Sequence, residues 1–158
     1  MLTDRKRTEA IFFPLTMMNI VESGARDKSE EDFKVIRQYF IDACDEVMRG
    51  CDERKMVYIM RRAVKLHDRV MKEFIKGGAR TDKVGIVVMM ILQAALESDY
   101  LILDEGSKMS IAANAIIAGL QDAMEQERLF ASAKKQAVKT LRALQSEGYF
   151  EGVSLTED

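Results

Sequence analysis

The chain reads as all-α, a single-domain bundle of five to six helices over residues 1–158, and three observations predict it. Apolar residues recur at three- and four-residue steps through most of the sequence, the spacing that lines one face of an α-helix. Proline occurs once in 158 residues, which leaves too little turn punctuation for a sandwich or a barrel. Glycines punctuate the periodic stretches at Gly24, Gly50, Gly77-Gly78, Gly106 and Gly148. A chain of this length buries about 70% of its unfolded surface, enough for a core that needs no staple.

The first helix is predicted from about Asp4 to Ser23. Pro14 interrupts it, and at about 3 kcal/mol for a mid-helix proline a kink or a fresh start is expected there. Ile11, Phe12, Phe13, Leu15, Met17, Met18, Ile20 and Val21 leave it no polar face, so the segment is buried in the fold or in a partner. The second helix opens at Ser29 with Asp32 three residues on and closes at Gly50. Its stripe is Phe33, Ile36, Phe40, Cys44, Val47 and Cys51, which makes both cysteines small core residues. Asp52 caps the third helix, with Met56, Ile59, Met60, Ala63, His67, Val70 and Phe74 on its apolar face and Gly77-Gly78 at its end.

Thr81-Asp82 caps a fourth helix running from Lys83 to about Asp104. From Val84 to Leu96 its only polar side chain is Gln93, which places it at the centre of the bundle. Ser110 caps a last helical stretch that reaches about Glu147. Its first half presents Ala113, Ile117, Leu120 and Met124, and its second half Leu129, Ala133, Ala137, Leu141 and Leu144. The two stripes differ in phase by more than about 100°, so a break near Gln126 or a second packing partner is expected. Residues Tyr149 to Leu155 are expected to form a short extended segment.

Composition excludes several functions. A net charge of −2 gives no global pull toward nucleic acid or an anionic surface. The longest apolar run, Ile86 to Leu92, is far below the roughly 20 residues of a spanning helix, so no membrane partner is expected. The charged start followed by Ile11-Phe12-Phe13 is read as mature protein, because Pro14, Thr16 and Asn19 break the apolar stretch. Cys44 and Cys51 lie seven residues apart on one predicted helix, roughly 10 Å along its axis, beyond disulfide reach. Two free thiols predict a cytoplasmic location.

A single histidine, His67, eliminates two-histidine zinc sites and di-iron bundles, and no phosphate loop is present. No metal and no cofactor is expected. Gly77-Gly78-Ala79-Arg80-Thr81-Asp82 is a helix C-cap followed by an N-cap. Glu97 and Asp99, at the end of a nearly apolar helix, are candidates for burial opposite Arg61 or Arg62.

The run Arg61-Arg62-Ala63-Val64-Lys65-Leu66-His67 has Arg-x4-His spacing and resembles the signature of HEPN-family RNases. The resemblance implies that Arg62, or Arg61 at the longer spacing, meets His67 across a helical-bundle dimer and that His67 acts as general acid or base on RNA. That family usually carries a polar residue, Asn, Asp or His, after the arginine, where this chain has Ala63 after Arg62 or Arg62 after Arg61. His67 also sits in the apolar stripe of Met60, Ala63, Val70 and Phe74, and a packed histidine hydrogen-bonded through one ring nitrogen is the preferred reading.

Charge is uneven along the chain. Between Asp52 and Lys83, ten basic residues face five acidic ones, an excess of five positive charges that leaves the remainder at minus seven. Arg54, Arg61, Arg62, Lys65, Arg69 and Lys72 therefore define a candidate docking face for an acidic protein or for nucleic acid on the helix 52–77. The sequence predicts a non-enzymatic interaction module (an adaptor, chaperone-like or regulatory bundle) that works with another protein and as a homo-oligomer. Its interface residues are read as Ile11, Phe12, Phe13, Met17, Leu129 and Leu141. The alternatives are the RNase with Arg62 and His67 and a nucleic-acid-binding module.

Overall fold

The computed structural model describes residues 2–22, 30–76, 81–101, 106–124 and 127–155. Six helices carry them: α1 (Asp4–Glu22), α2 (Glu30–Val47), α3 (Glu53–Lys76), α4 (Thr81–Glu97), α5 (Lys108–Met124) and α6 (Glu127–Ser146). No strand occurs among the described residues, and the all-α prediction holds.

Two apolar helices organise the bundle. α1 packs against α2, α3 and α4, while α4 packs against α1, α5 and α6. Every residue from Val84 to Leu92 is buried in α4, as a helix without a polar stripe requires. Ala10 to Phe13 are likewise fully buried on consecutive positions of α1, which is burial around the whole circumference. The helix runs through Pro14 unbroken, so it is one element rather than two.

This placement corrects the proposed interface. Ile11, Phe12, Phe13, Met17 and Leu141 are buried within one chain, leaving almost no area for a partner. The sequence pattern was right that α1 must be covered on all sides; the cover comes from α2, α3 and α4 of the same molecule. The apolar face of α6, which includes Ala133, Ala137, Leu141 and Leu144, is buried and α6 packs mainly on α4. The Leu129 side chain lies outside the described residues, as does the expected break at Gln126, although α5 ends at Met124 and α6 begins at Glu127.

The stripe of α2 is rotated from the predicted one. Ile36, Tyr39, Ala43 and Val47 are buried, whereas Phe40, Cys44 and Cys51 are only partly covered. Both thiols are free, and Cys51 lies outside α2, in the turn after Gly50 (φ 82°). Its Sγ accepts a hydrogen bond from Arg7 Nη1 at 2.8 Å. Burial, then the neighbouring Asp45, pushes the Cys44 thiol above its usual pKa.

Helix ends follow local chemistry. Asp52 Oδ1 accepts the Lys55 N–H at 2.8 Å, the expected cap of α3. The cap of α5 is Ser107, whose Oγ accepts the Ser110 N–H, so this helix starts one turn earlier than predicted. Glu46 of α2 also accepts the Met109 N–H at 2.9 Å. α4 ends at Glu97, before the predicted Asp104, because Tyr100 N–H returns to the Ala95 carbonyl and Asp99 takes φ 53°. Glu97 and Asp99 are exposed, not buried opposite an arginine. The same closure ends α6, with Tyr149 N–H on the Leu144 carbonyl and Gly148 at φ 93°. The residues that follow form a turn in place of the expected extended segment.

Candidate functional site

α3 is the peripheral helix of the bundle: its principal packing partner is α1. Ile59, Ala63, Leu66, His67, Val70 and Phe74 form its buried face. Met56, predicted for that face, is exposed.

His67 lies on the buried face. Its Nδ1 and the Thr16 hydroxyl of α1 share a buried hydrogen bond at 2.9 Å. Burial lowers the imidazole pKa, and the adjacent Asp68 opposes that shift. Arg62 is five residues away, about 140° around the helix, and its guanidinium stacks over the Tyr58 ring at 5.6 Å. Within the chain the two residues of the RNase alternative therefore face different ways. The imidazole is only 7% exposed, with one nitrogen taken, which is the packed histidine expected from the stripe.

The six basic residues predicted as a docking face divide into two groups. Arg54, Arg61, Lys65 and Lys72 are exposed and make no ion pair with the described residues. Arg62 is held by its Tyr58 contact. Arg69 donates from Nη1 to Glu73 at 2.6 Å and from Nε to Glu147 at 3.0 Å, tying α3 to the end of α6. The hydrogen bond from Arg69 lowers the Glu73 pKa. Arg69, although its side chain is partly exposed, thus has its guanidinium engaged within the bundle.

What sequence reasoning missed is a second apolar line on the same helix. Val57, Val64 and Ile75 are 45%, 42% and 73% exposed, and the half-buried Met60 and Met71 lie between them and the core. At 100° per residue these five residues occupy a strip about 60° wide, centred about 105° from the middle of the buried face. Arg54, Arg61, Lys65 and Lys72 fall in a strip about 40° wide on the far side of it. The seven-residue step from Val57 to Val64 was visible in the sequence, but the richer stripe of buried residues masks it. At the start of α3 an open hollow of about 670 Å³ is lined, among the described residues, by Asp52, Glu53, Arg54, Val57, Tyr58 and Arg61.

A second unusual group lies away from α3. Glu9 of α1 is fully buried, and its Oε1 accepts the Phe150 N–H at 3.0 Å and the Tyr100 hydroxyl at 3.3 Å. Oε2 has no partner among the described residues. Burial raises the carboxyl pKa from 4.5 to about 7 against the pull of those hydrogen bonds and of Arg5 and Lys6. The Tyr39 hydroxyl on α2 is also buried without a partner among the described residues. Glu9 was not singled out from the sequence, where a lone glutamate beside Thr8 gives no sign of its depth.

Among the described residues no group of three His, Cys, Asp or Glu side chains is placed to hold a metal ion. No described helix is long and apolar enough to cross a membrane. The Gly77 to Arg80 turn lies outside the described residues. Fold and surface together define a six-helix bundle with one peripheral amphipathic helix. Comparison with known proteins finds no matching family model, no matching curated protein and no matching solved structure.

Proposed function

We propose that this protein is a non-enzymatic interaction module that docks another protein on the outward face of α3. The observation that carries the reading is the pairing, on one helix, of exposed Val57, Val64 and Ile75 with four exposed cations that make no ion pair among the described residues. Scattered exposed apolar residues are ordinary on a soluble protein. A line of them running the length of a helix, rimmed by unpaired charge, is the composition of a recognition surface. Nucleic acid would use the same cations, but aliphatic side chains at 57, 64 and 75 contribute nothing to phosphate contacts and favour a protein partner.

A photo-crosslinking residue at position 64, introduced in the native host, tests this. It is expected to give discrete adducts that Arg61→Glu with Lys65→Glu removes, while the same probe at exposed Asn19 gives none. Equal adducts at both positions, or none at position 64, would contradict the reading.

A further inference from the structure

The shape and charge of the α3 surface also specify what kind of segment fits it. We propose that the occupant is an acidic amphipathic α-helix of a partner protein, about five turns long, lying along α3 between its apolar seam and its basic strip. This rests on the docking reading above and adds the chemistry of the partner.

The seam gives the conformation. Val57, Met60, Val64, Met71 and Ile75 are separated by three, four, seven and four residues, so they form a nearly straight line along the helix surface. From 57 to 75 the line spans about 27 Å at 1.5 Å per residue. A straight apolar line on one helix is matched by another helix, whose own side chains recur at three and four residues and interleave with it. An extended strand has no sheet edge here to pair with, because the described residues contain no strand. Met60 and Met71 lie at the boundary between core and solvent, and their flexible side chains let the seam adjust to a helix seated on it.

The flank gives the charge. Arg54, Arg61, Lys65 and Lys72 lie side by side, about 85° around from the centre of the seam, where the flanking positions of a seated helix would reach. Asp68 is the one acidic residue on that exposed face beyond the first turn. A helix with Glu or Asp at those flanking positions neutralises the strip, whereas a second copy of α3 would bring the same four cations against each other. Charge therefore selects an acidic segment from another protein over self-association through this face.

The test is a selection with defined probes. A displayed library of 20-residue helices carries leucine at the heptad a and d positions, with each flanking e and g position varied among Glu, Gln and Lys. Selection on the intact protein is expected to enrich Glu at the flanking positions. The enriched peptide should bind at least tenfold less tightly to Val64→Asp and to Arg61→Glu/Lys65→Glu, and weaken as salt rises. Ile41→Asp, at an exposed position on α2, should leave binding unchanged, and melting curves should show all variants folded. Enrichment of Lys, no enrichment, or binding insensitive to the α3 variants would overturn the proposal. So would a 20-base-pair RNA duplex or anionic lipid vesicles binding at the α3 face when the acidic helices do not. If crosslinking from position 64 persists while acidic helices fail, docking stands and the partner chemistry is wrong; if both fail, the docking reading fails as well.

Discussion

Glu9 of α1 accepts the backbone N–H of Phe150 at 3.0 Å, joining two ends of the chain that are 141 residues apart in sequence. Around that bond Arg5 donates to the Gly148 carbonyl at 2.7 Å, and Phe150 packs among Phe12, Phe13 and Tyr100. The turn after α6 is therefore fastened to the bundle by a carboxyl group that water cannot reach.

The pH dependence of stability follows from that burial. The folded pKa of Glu9, about 7, lies above its ordinary 4.5, so the native state favours the neutral acid. The stabilisation is complete below about pH 4.5, declines as pH rises toward about 7, and is gone above it. Glu9→Gln keeps an oxygen for the Phe150 N–H and removes the ionisation. Calorimetry is expected to show wild type losing stability between pH 5 and pH 7.5 relative to Glu9→Gln. At pH 8 the variant should be the more stable by about 1–3 kcal/mol. Parallel pH profiles would show that Glu9 ionises in the folded protein as it does in water.

His67 contributes the opposite slope. Its folded pKa is depressed, so stability is full above its ordinary 6.5 and is lost as pH falls below that value. Thr16→Val leaves the ring nitrogen buried and unpaired and is expected to cost about 1–3 kcal/mol. His67→Ala should cost a similar amount. A His67→Ala variant that kept full stability yet lost an RNA-cleaving activity would restore the RNase alternative.

Two glycines in the left-handed region separate strain from crowding. Gly50 has φ 82° with open space around it, while a Cβ on Gly148 (φ 93°) would meet Arg5 Nη1 at 2.9 Å. Gly50→Ala is expected to cost about 1 kcal/mol from the backbone alone. Gly148→Ala should cost clearly more, since it also displaces the guanidinium that holds the terminal turn. Equal melting temperatures for the two variants would mean that Arg5 moves aside freely.

Much of this fold was legible because helices advertise themselves through period and punctuation. The Asp52 cap and the burial of α4 could be read directly, and so could the place of His67 on a packed face. Other features depend on which elements meet. Pattern alone shows that α1 needs cover on every side, not that α2, α3 and α4 provide it. On α2 the sequence favoured Phe40 and Cys44 over Tyr39 and Ala43, neighbours only about 100° apart, and hydrophobicity cannot choose between adjacent positions when one carries a hydroxyl. Glu9 is invisible for the same reason: its depth is set by Phe150 and Tyr100, which arrive from distant parts of the chain. The basic residues of α3 were plain in the sequence. Which of them the fold consumes, as it consumes Arg69, was not.

The exposed line on α3 predicts a sharp contrast in mutational cost. Val57→Asp and Val64→Asp should each change stability by no more than about 0.5 kcal/mol, as expected for surface positions. Ile59→Ala and Phe12→Ala, in the core, should cost about 2–5 kcal/mol. Chemical denaturation of the four variants measures this directly. A large loss at position 64 would make the seam a part of the core.

The most direct test of the α3 surface is a methyl NMR spectrum of the isotope-labelled protein in buffer and in extract of its native host. Among the described residues eight large apolar side chains are exposed, and of these Val35, Ile41 and Ile111 lie on other helices. The methyl signals of Val57, Val64 and Ile75 are expected to shift or broaden in the extract, and those of Val35, Ile41 and Ile111 to stay unchanged. An unchanged spectrum, or perturbation centred on α2 or α5, would contradict the docking reading.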